Sequence, residues 1–544
     1  MFSVNRVFSL RLTLAVCGGL LLSAAFPGVG FAGGAWIGPG MILFSAVGEG
    51  GWRAFRLGYA AGLAHYLSSL YWLLAMPYTF HGIPLAPAAG WIALSAYCAL
   101  YPAVWVWLCW RMWPAPPGAG KLPARAALDQ FFSAGLSRRV GWAFCGGLIW
   151  VALEMARGRL LTGFPWNFLG VSQYKMLPLI QIAAVTGVYG VSFLVVWVSV
   201  SLVVALLALT RQPGRGVWGE AGLPLLAAVV VASLGASKVA KIQPAEVELS
   251  VALVQPGFPQ TLIWNTNENN ALFENLLALS EKALADKASL LIWPEGVPSV
   301  LSPEHQAALA GLVVRHGVWL LVCADDEEVS ARGESEDFNS SMLISPQGRI
   351  EGVYHKRRLV IFGEYVPAWL GFLKWMTPID GAFTPGTEPI QFKMKHPDAQ
   401  ISVLICFEDA FPEEAREHVT PDTDFLVNLT NDGWFGDGAA PWQHAANAVF
   451  RAVENGVPLV RCTNNGLTCW ADAQGRLRRI FEVSGNVYGA GFMTANIPLR
   501  LGGDRSRTFY NRHGDWFGWS CCGLSAGLCA GTIRPRRKSM RDSV

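Results

Sequence analysis

Two textures of apolar residue alternate along this chain. From Leu12 to about residue 238, long apolar runs follow one another with few charges between them, and a last one lies near 515–532. Between 239 and 514 the apolar runs are short and are broken by turn residues and amphipathic stretches. The long runs predict transmembrane helices at 8–26, 28–48, 53–76, 87–110, 141–157, 188–209, 219–238 and 515–532, each near the ~20 residues a helix needs to cross. Although Arg6 and Arg11 before Leu12 look locally like the start of a secretory signal, further apolar runs follow at once, so the first helix reads as retained.

In the middle segment, Leu249–Val254, Ser289–Trp293, Trp319–Cys323, Met342–Ile344, Val403–Cys406, Phe425–Leu429 and Leu459–Cys462 read as strands. Ala271–Ala285 and Trp442–Glu454 read as helices, with Leu272, Leu276 and Leu279 spaced to share one face. Strands alternating with helices over this length predict one α/β domain. The expected organisation is a membrane domain over 1–238 with about seven helices, an α/β domain over 239–514, and a final span with a basic tail over 515–544.

Charge gives this arrangement a direction. With the N-terminus inside, the inner segments hold Arg53 and Arg56, five basic residues between Arg111 and Arg139, Arg211 and Arg215, and a tail from Arg534 to Arg541. The outer loops at 27–34 and 77–86 hold none, and 158–187 holds only Arg159 and Lys175. The positive-inside rule therefore predicts eight crossings, both termini cytoplasmic and the α/β domain on the outer side.

Composition agrees: 544 residues are 52% hydrophobic and 15% charged, with 23 tryptophans, the profile of a multi-span protein. A net charge of +3 is too small to imply a nucleic acid partner. Seven of the eleven cysteines lie in apolar stretches, and Cys323, Cys406, Cys462 and Cys469 lack metal-binding spacing, so neither a zinc site nor a disulfide framework is expected. A single Cys462–Cys469 bridge stays open.

Three strand ends carry residues suited to acyl chemistry. Cys406 closes I-S-V-L-I-C and precedes acidic residues, Glu295 follows L-L-I-W-P, and Lys356 follows I-E-G-V-Y-H. A thiol nucleophile needs a base to take its proton and a cation or donor for the oxyanion, and these three side chains supply both. Taken singly, each has a plain alternative: a buried small apolar cysteine, a turn glutamate, a solvated lysine. Glu154 with Arg157 three residues on is expected to form a local helical pair, and His355 and His444 to be polar contacts near the site.

W-P-E, K-R-R-L-V-I-F-G-E-Y-V-P and I-C-F-E together resemble the Glu-Lys-Cys triad of the nitrilase superfamily. With the apolar N-terminal half and the final span, the chain is similar over nearly its whole length to the apolipoprotein N-acyltransferase family. V-Q-P-G-F-P-Q, N-L-T-N-D-G-W-F-G, Q-H at 443–444, R-A-V-E-N-G, R-C-T-N-N-G and G-F-P-W-N also resemble its blocks. The resemblance implies an αββα nitrilase-like sandwich outside a bacterial inner membrane. It further implies Glu295 as general base, Lys356 as the cation at the oxyanion and Cys406 as nucleophile, supported by Glu364 and Glu408. The implied donor is a phospholipid, phosphatidylethanolamine first, and the acceptor a diacylglyceryl apolipoprotein, with no cofactor. From the residues themselves, Trp264, Trp375 and Trp434 are expected substrate contacts. Phe407 and Ile361 depart from the family pattern, where a tyrosine and a proline are expected.

Residues 367–378, rich in Trp, Leu and Phe, suit a membrane interface as a mobile arm, or equally an ordinary buried element. Two other readings stay open: a membrane-anchored amidase that passes its acyl group to water, and a transporter or receptor whose outer domain only binds.

Overall fold

The structure, a computed structural model, describes residues 2–76, 85–114, 123–211, 218–241, 247–263, 265, 267–298, 302–329, 333–376, 382–499 and 507–533. Among the described residues, twelve strands form two six-stranded sheets. The first holds β1 (Val247–Gln255), β2 (Leu290–Ile292), β3 (Trp319–Val329), β4 (Ser335–Ile344) and β5 (Ile350–His355), and takes in β12 (Gly491–Leu499) beside β1. The second holds β6 (Gln391–Met394), β7 (Ala399–Ile405), β8 (Phe425–Thr430), β9 (Leu459–Thr463), β10 (Cys469–Ala471) and β11 (Leu477–Ile480). Each sheet has a parallel centre, β1-β2-β3 and β7-β8-β9, with antiparallel strands on its flanks.

Strand periodicity sends alternate residues to opposite faces. Leu249, Val251, Leu253, Leu290 and Ile292 meet Ile401, Val403, Ile405, Val427 and Leu429 between the sheets. The alternate set, Ala252, Val254, Leu291 and Leu320, packs against helices Asn269–Ala283 and Pro303–His316 through Leu272, Leu276, Leu309 and Leu312. On the second sheet, Leu404, Leu426 and Leu459 face helix Ala439–Asn455. Helix, sheet, sheet and helix thus stack as the αββα sandwich expected of the family.

The last layer is unlike the first. Every residue of Ala439–Asn455 except Trp442 is buried, because the membrane domain covers the side turned away from the sheet. Val449, Val453, Leu404 and Leu426 belong to one core with Ile180, Ala183, Val188 and Tyr189. At Gln443 the contact is polar. Its Oε1 accepts from Trp72 Nε1 (3.2 Å) and Trp166 Nε1 (2.8 Å), and its Nε2 donates to the carbonyls of Pro27 and Ser69.

The membrane part contains helices Phe2–Ala24, Gly51–Ser69, Ala86–Arg111, Leu136–Arg157, Val188–Arg211 and Trp218–Ala240 before the sandwich, and Trp516–Ile533 after it. Among the described residues, four helices are long and apolar enough to cross a membrane by length and composition: Ala86–Arg111, Leu136–Arg157, Val188–Thr210 and Trp218–Ala240.

The single span expected at 28–48 does not form. A 3-10 turn at Ala32–Trp36 and an eight-residue helix at Gly38–Ser45 stand there instead. Gly28 and Gly30 take φ +116° and +75°, outside helical space, and Pro39 fits only the first turn of a helix. The segment nonetheless returns the chain to the far end of the first helix. Pro27 lies beside Gln443, whereas the carbonyls of Ser45 and Val47 accept from Arg11, about 20 Å back along that helix.

Close helix contact depends on small residues: a Cβ on Gly19 would stand 2.1 Å from the Ala61 carbonyl oxygen. Gly19→Leu is expected to force Phe2–Ala24 away from Gly51–Ser69, lowering the detergent-solubilised unfolding temperature by several degrees in a thermal melt.

Candidate active site

Glu295 and Lys356 leave the first sheet after β2 and β5, and Cys406 leaves the second after β7. Two antiparallel steps, β3 to β4 and β4 to β5, return β5 to the direction of β2 and β3, so Glu295 and Lys356 meet at one edge, where Glu408 links Arg357 to Ile405 across the sheets. The strand expected to include Cys406 stops at Ile405. Cys406 instead opens a 3-10 turn, Cys406–Ala410, with φ +51°, a left-handed conformation that non-glycine residues adopt only when their surroundings hold it.

Lys356, 1% exposed, places Nζ 3.2 Å from Glu295 Oε1 and 2.8 Å from Glu364 Oε1. Asn339 on β4 donates to the same two carboxylates, at 2.9 and 2.7 Å. The Asn431 backbone N–H donates to Glu295 Oε2 at 3.2 Å, and that of Val360 to Glu364 Oε2 at 2.8 Å. Burial works against the Lys356 ammonium, yet Glu295, Glu364 and Cys406 together hold its pKa well above the ordinary lysine value. For the half-buried Cys406 the balance runs the other way: burial and the Glu295 carboxylate push the thiol well above its usual range, with Lys356 opposing. Two carboxylates against one ammonium leave the pocket a net negative charge, which disfavours a standing thiolate.

Glu408 ties the lysine to the cysteine. Fully buried, it accepts from the backbone N–H groups of Arg357, Arg358 and Ile405 at 2.7, 3.1 and 2.7 Å, and from the Tyr354 hydroxyl at 2.8 Å. The residues after Lys356 and the one before Cys406 therefore share one carboxylate, which bridges the two sheets. In Glu408→Gln the new amide would turn a donor toward these donors. That variant is expected to lose about 2–3 kcal/mol of stability, measured by denaturant titration in detergent.

A second ionic cluster lies beneath the turn. Asp409, Asp432, His444 and Arg461 are each at most 1% exposed. Arg461 pairs with Asp409 Oδ2 at 2.6 Å and Asp432 Oδ2 at 3.0 Å, and His444 Nδ1 donates to Asp432 Oδ1 at 2.8 Å. His444 Nε2 lies 2.8 Å from Asp409 Oδ1 and donates to the Cys406 carbonyl at 3.1 Å. Burial opposes the imidazolium, but the two aspartates outweigh burial and Arg461 and raise the His444 pKa from 6.5 to about 9. Stability from this pairing is then complete below pH 6.5 and lost as pH rises through about 9. Thermal melts across that window should fall more steeply for the native chain than for His444→Gln.

Asn339 and this lower cluster were not singled out as site residues from sequence, and His444 was expected only as a nearby contact. Asn339 lies in F-N-S-S-M-L-I, where a polar residue inside a buried strand is the available signal. Glu154 does not pair with Arg157 as expected. Its Oε1 accepts from Trp150 Nε1 and the Leu169 N–H, while Arg157 donates to the carbonyls of Phe164, Trp166 and Asn167. Those bonds shape the 164–167 loop over the site. Cys462 and Cys469 are free thiols. His355 stacks on Phe338 at 4.0 Å and approaches Asp326, away from the Lys356 ammonium's partners.

Phe407 packs at 6.0 Å from Trp166 and 6.2 Å from Phe164, with Phe411 edge-on at 5.1 Å. Phe407 therefore faces apolar, largely aromatic surroundings. Ile361 bridges to Tyr365 just before Phe362, which has φ +63°. Trp434 is half-buried in the turn Asp432–Phe435. Trp264 and the Trp375 side chain lie outside the described residues. The 3-10 segment Ala368–Met376 presents Trp369 and Phe372 at 58% and 71% exposure, so its described part is not a buried element.

Residues 18–201 match the family model for the apolipoprotein N-acyltransferase N-terminal domain, and residues 250–485 match the carbon-nitrogen hydrolase model. The chain is 35% identical to the apolipoprotein N-acyltransferase of Geobacter metallireducens, covering 97% of this chain and 96% of that one. It is 32% identical to the protein of that name from Brucella melitensis biotype 1, over 78% of this chain and 76% of the other. With the one from Methylococcus capsulatus it shares 31% identity over 97% and 96% of the two chains.

Proposed function

The chain belongs to the apolipoprotein N-acyltransferase family, and from that premise we propose how its residues carry an acyl group from a phospholipid to a lipoprotein amine. The observation that carries the assignment is Lys356 held between Glu295 and Glu364 at the strand ends that meet the left-handed turn of Cys406.

With the resting thiol neutral, Glu295 takes its proton as Sγ attacks the ester carbonyl of a phospholipid. Lys356 Nζ stabilises the oxyanion. The C–O bond then breaks, Glu295 returns the proton to the departing lysophospholipid oxygen, and the acyl group stays on Cys406 as a thioester. In the second half the α-amine of a diacylglyceryl-cysteine attacks, C–N forms as C–S breaks, and Glu295 carries the amine's proton to the thiolate. Asn339 holds Glu295 and Glu364 in place for both halves. The aromatic wall of Phe164, Trp166 and Phe407 keeps water from the thioester, which favours transfer over hydrolysis. Trp264, Trp375 and Trp434 are proposed contacts for the lipid substrates, and the exposed Trp369 and Phe372 dip into the bilayer.

The catalytic domain lies on the outer, periplasmic face and both termini in the cytoplasm. Pro27, Ser69 and Val188 at one set of helix ends touch the sandwich, while the opposite ends carry Arg11, Arg53, Arg111 and Arg138, the inward bias that Lys and Arg follow.

Intact-protein mass spectrometry after incubation with phosphatidylethanolamine tests the chemistry. An acyl-sized gain is expected on the native chain and absent from Cys406→Ala, cleared by hydroxylamine and by a diacylglyceryl peptide. Discharge by water as fast as by the peptide would instead favour the amidase reading, and no gain on folded protein would remove both enzyme mechanisms.

A further inference from the structure

A left-handed cysteine needs more than its own preferences to stay in place, and the backbone carbonyl of Cys406 is where the fold grips it. Two side chains donate to that oxygen: Asn428 Nδ2 at 3.0 Å and His444 Nε2 at 3.1 Å. Both donors are buried, and neither belongs to the Glu-Lys-Cys set. His444 is itself fixed from the opposite nitrogen, since Nδ1 faces Asp432 Oδ1. Nδ1 meets the Asp432 carboxylate, and Nε2 meets both the Asp409 carboxylate at 2.8 Å and the Cys406 carbonyl at 3.1 Å; all are acceptors only, so both nitrogens must carry hydrogen. The buried set then balances: Asp409 and Asp432 against Arg461 and the imidazolium. The Trp166 ring lies 5.2 Å from the His444 ring, and Gln443, one residue earlier on the same helix, is bound to Trp72 and Trp166.

We propose that His444 is a positioning residue for the nucleophile: doubly protonated, it fixes the Cys406 carbonyl and so the left-handed turn that aims the thiol. The inference rests on Cys406 being the acylated thiol. Asn428 alone leaves the carbonyl one direction of restraint, and a turn free to relax toward ordinary φ would carry Sγ away from the lysine and glutamate. A displacement of about 1 Å at a reacting atom can cost about 10²-fold in rate.

The test compares the full-length native chain, His444→Gln and Asp432→Asn/His444→Gln in detergent. The double variant removes one buried charge of each sign and so restores balance. Two rates are read by peptide mass mapping at Cys406: thioester formation from phosphatidylethanolamine, and alkylation by iodoacetamide without lipid. Thioester formation about 10²-fold slower in both variants, with the half-saturating lipid concentration unchanged, is the expected result. Recovery to within threefold of the native rate in the double variant would reduce His444 to charge balance and overturn the proposal. Because either variant could fail to fold, ¹⁵N-histidine spectra of the native chain are recorded from pH 6 to 8. A buried ring protonated on both nitrogens throughout is required, and neutral rings alone would overturn the proposal. Absence of a thioester on the native chain would sink the enzymatic reading instead, while alkylation of Cys406 would still report whether His444 sets its presentation.

Discussion

Helix Ala439–Asn455 is covered on both sides, and most of the molecule's organisation follows from that. Its apolar face closes the second sheet, as the outer helix of any αββα sandwich must. Its polar stripe is buried throughout: His444 and Arg451 bond within the sandwich, whereas Gln443 and Glu454 turn to the side that would ordinarily meet water. An unpaired buried polar group costs about 1–3 kcal/mol, so the stripe can be buried only where partners are built to receive it. The membrane loops supply several: Gln443 takes Trp72, Trp166, Pro27 and Ser69, and Glu454 accepts the Val188 N–H. The sandwich and the membrane helices are thus two halves of one hydrogen-bonded core.

The reactive edge adds a second constraint, of charge. Lys356 is buried with two carboxylates, an arrangement that keeps it cationic and leaves an excess negative charge facing the thiol. A permanently ionised cysteine would add to that excess, so the pocket favours the neutral thiol at rest. Beneath it, Asp409, Asp432, Arg461 and His444 are balanced internally and so add little net field to the pocket. One cluster carries an excess of negative charge and the other is neutral overall, and Glu408 joins the two sheets that carry them.

What was legible in the sequence follows this division. Strands covered on both faces announce themselves as short apolar runs, so β1, β2, β7, β8 and β9 were readable, and with them the strand ends bearing Glu295 and Cys406. The edge strands β6 and β11, which carry polar residues such as Lys393 and Arg479, and β12, which pairs across the whole length of the domain, gave no comparable run. Residues 28–48 misled because hydropathy sums apolar side chains but takes no account of Gly28, Gly30 and Pro39, which decide the backbone. Asn339 and Arg461 were hidden for a different reason. Their partners are distant in sequence, and only the packing of strands against each other makes a buried polar side chain necessary.

Phe407, the residue after Cys406, joins these threads. In a site closed by polar groups, loss of a tyrosine hydroxyl would strand a partner. Here the residue beside Cys406 points at the loop 164–167, whose shape is set from the membrane side by Arg157 bonding to three of its carbonyls. Trp166 spends its one N–H on Gln443 and presents only ring atoms to Phe407 and His444. The membrane domain therefore meets Phe407 with an apolar surface, and an apolar side chain fits it without leaving a donor or acceptor unpaired.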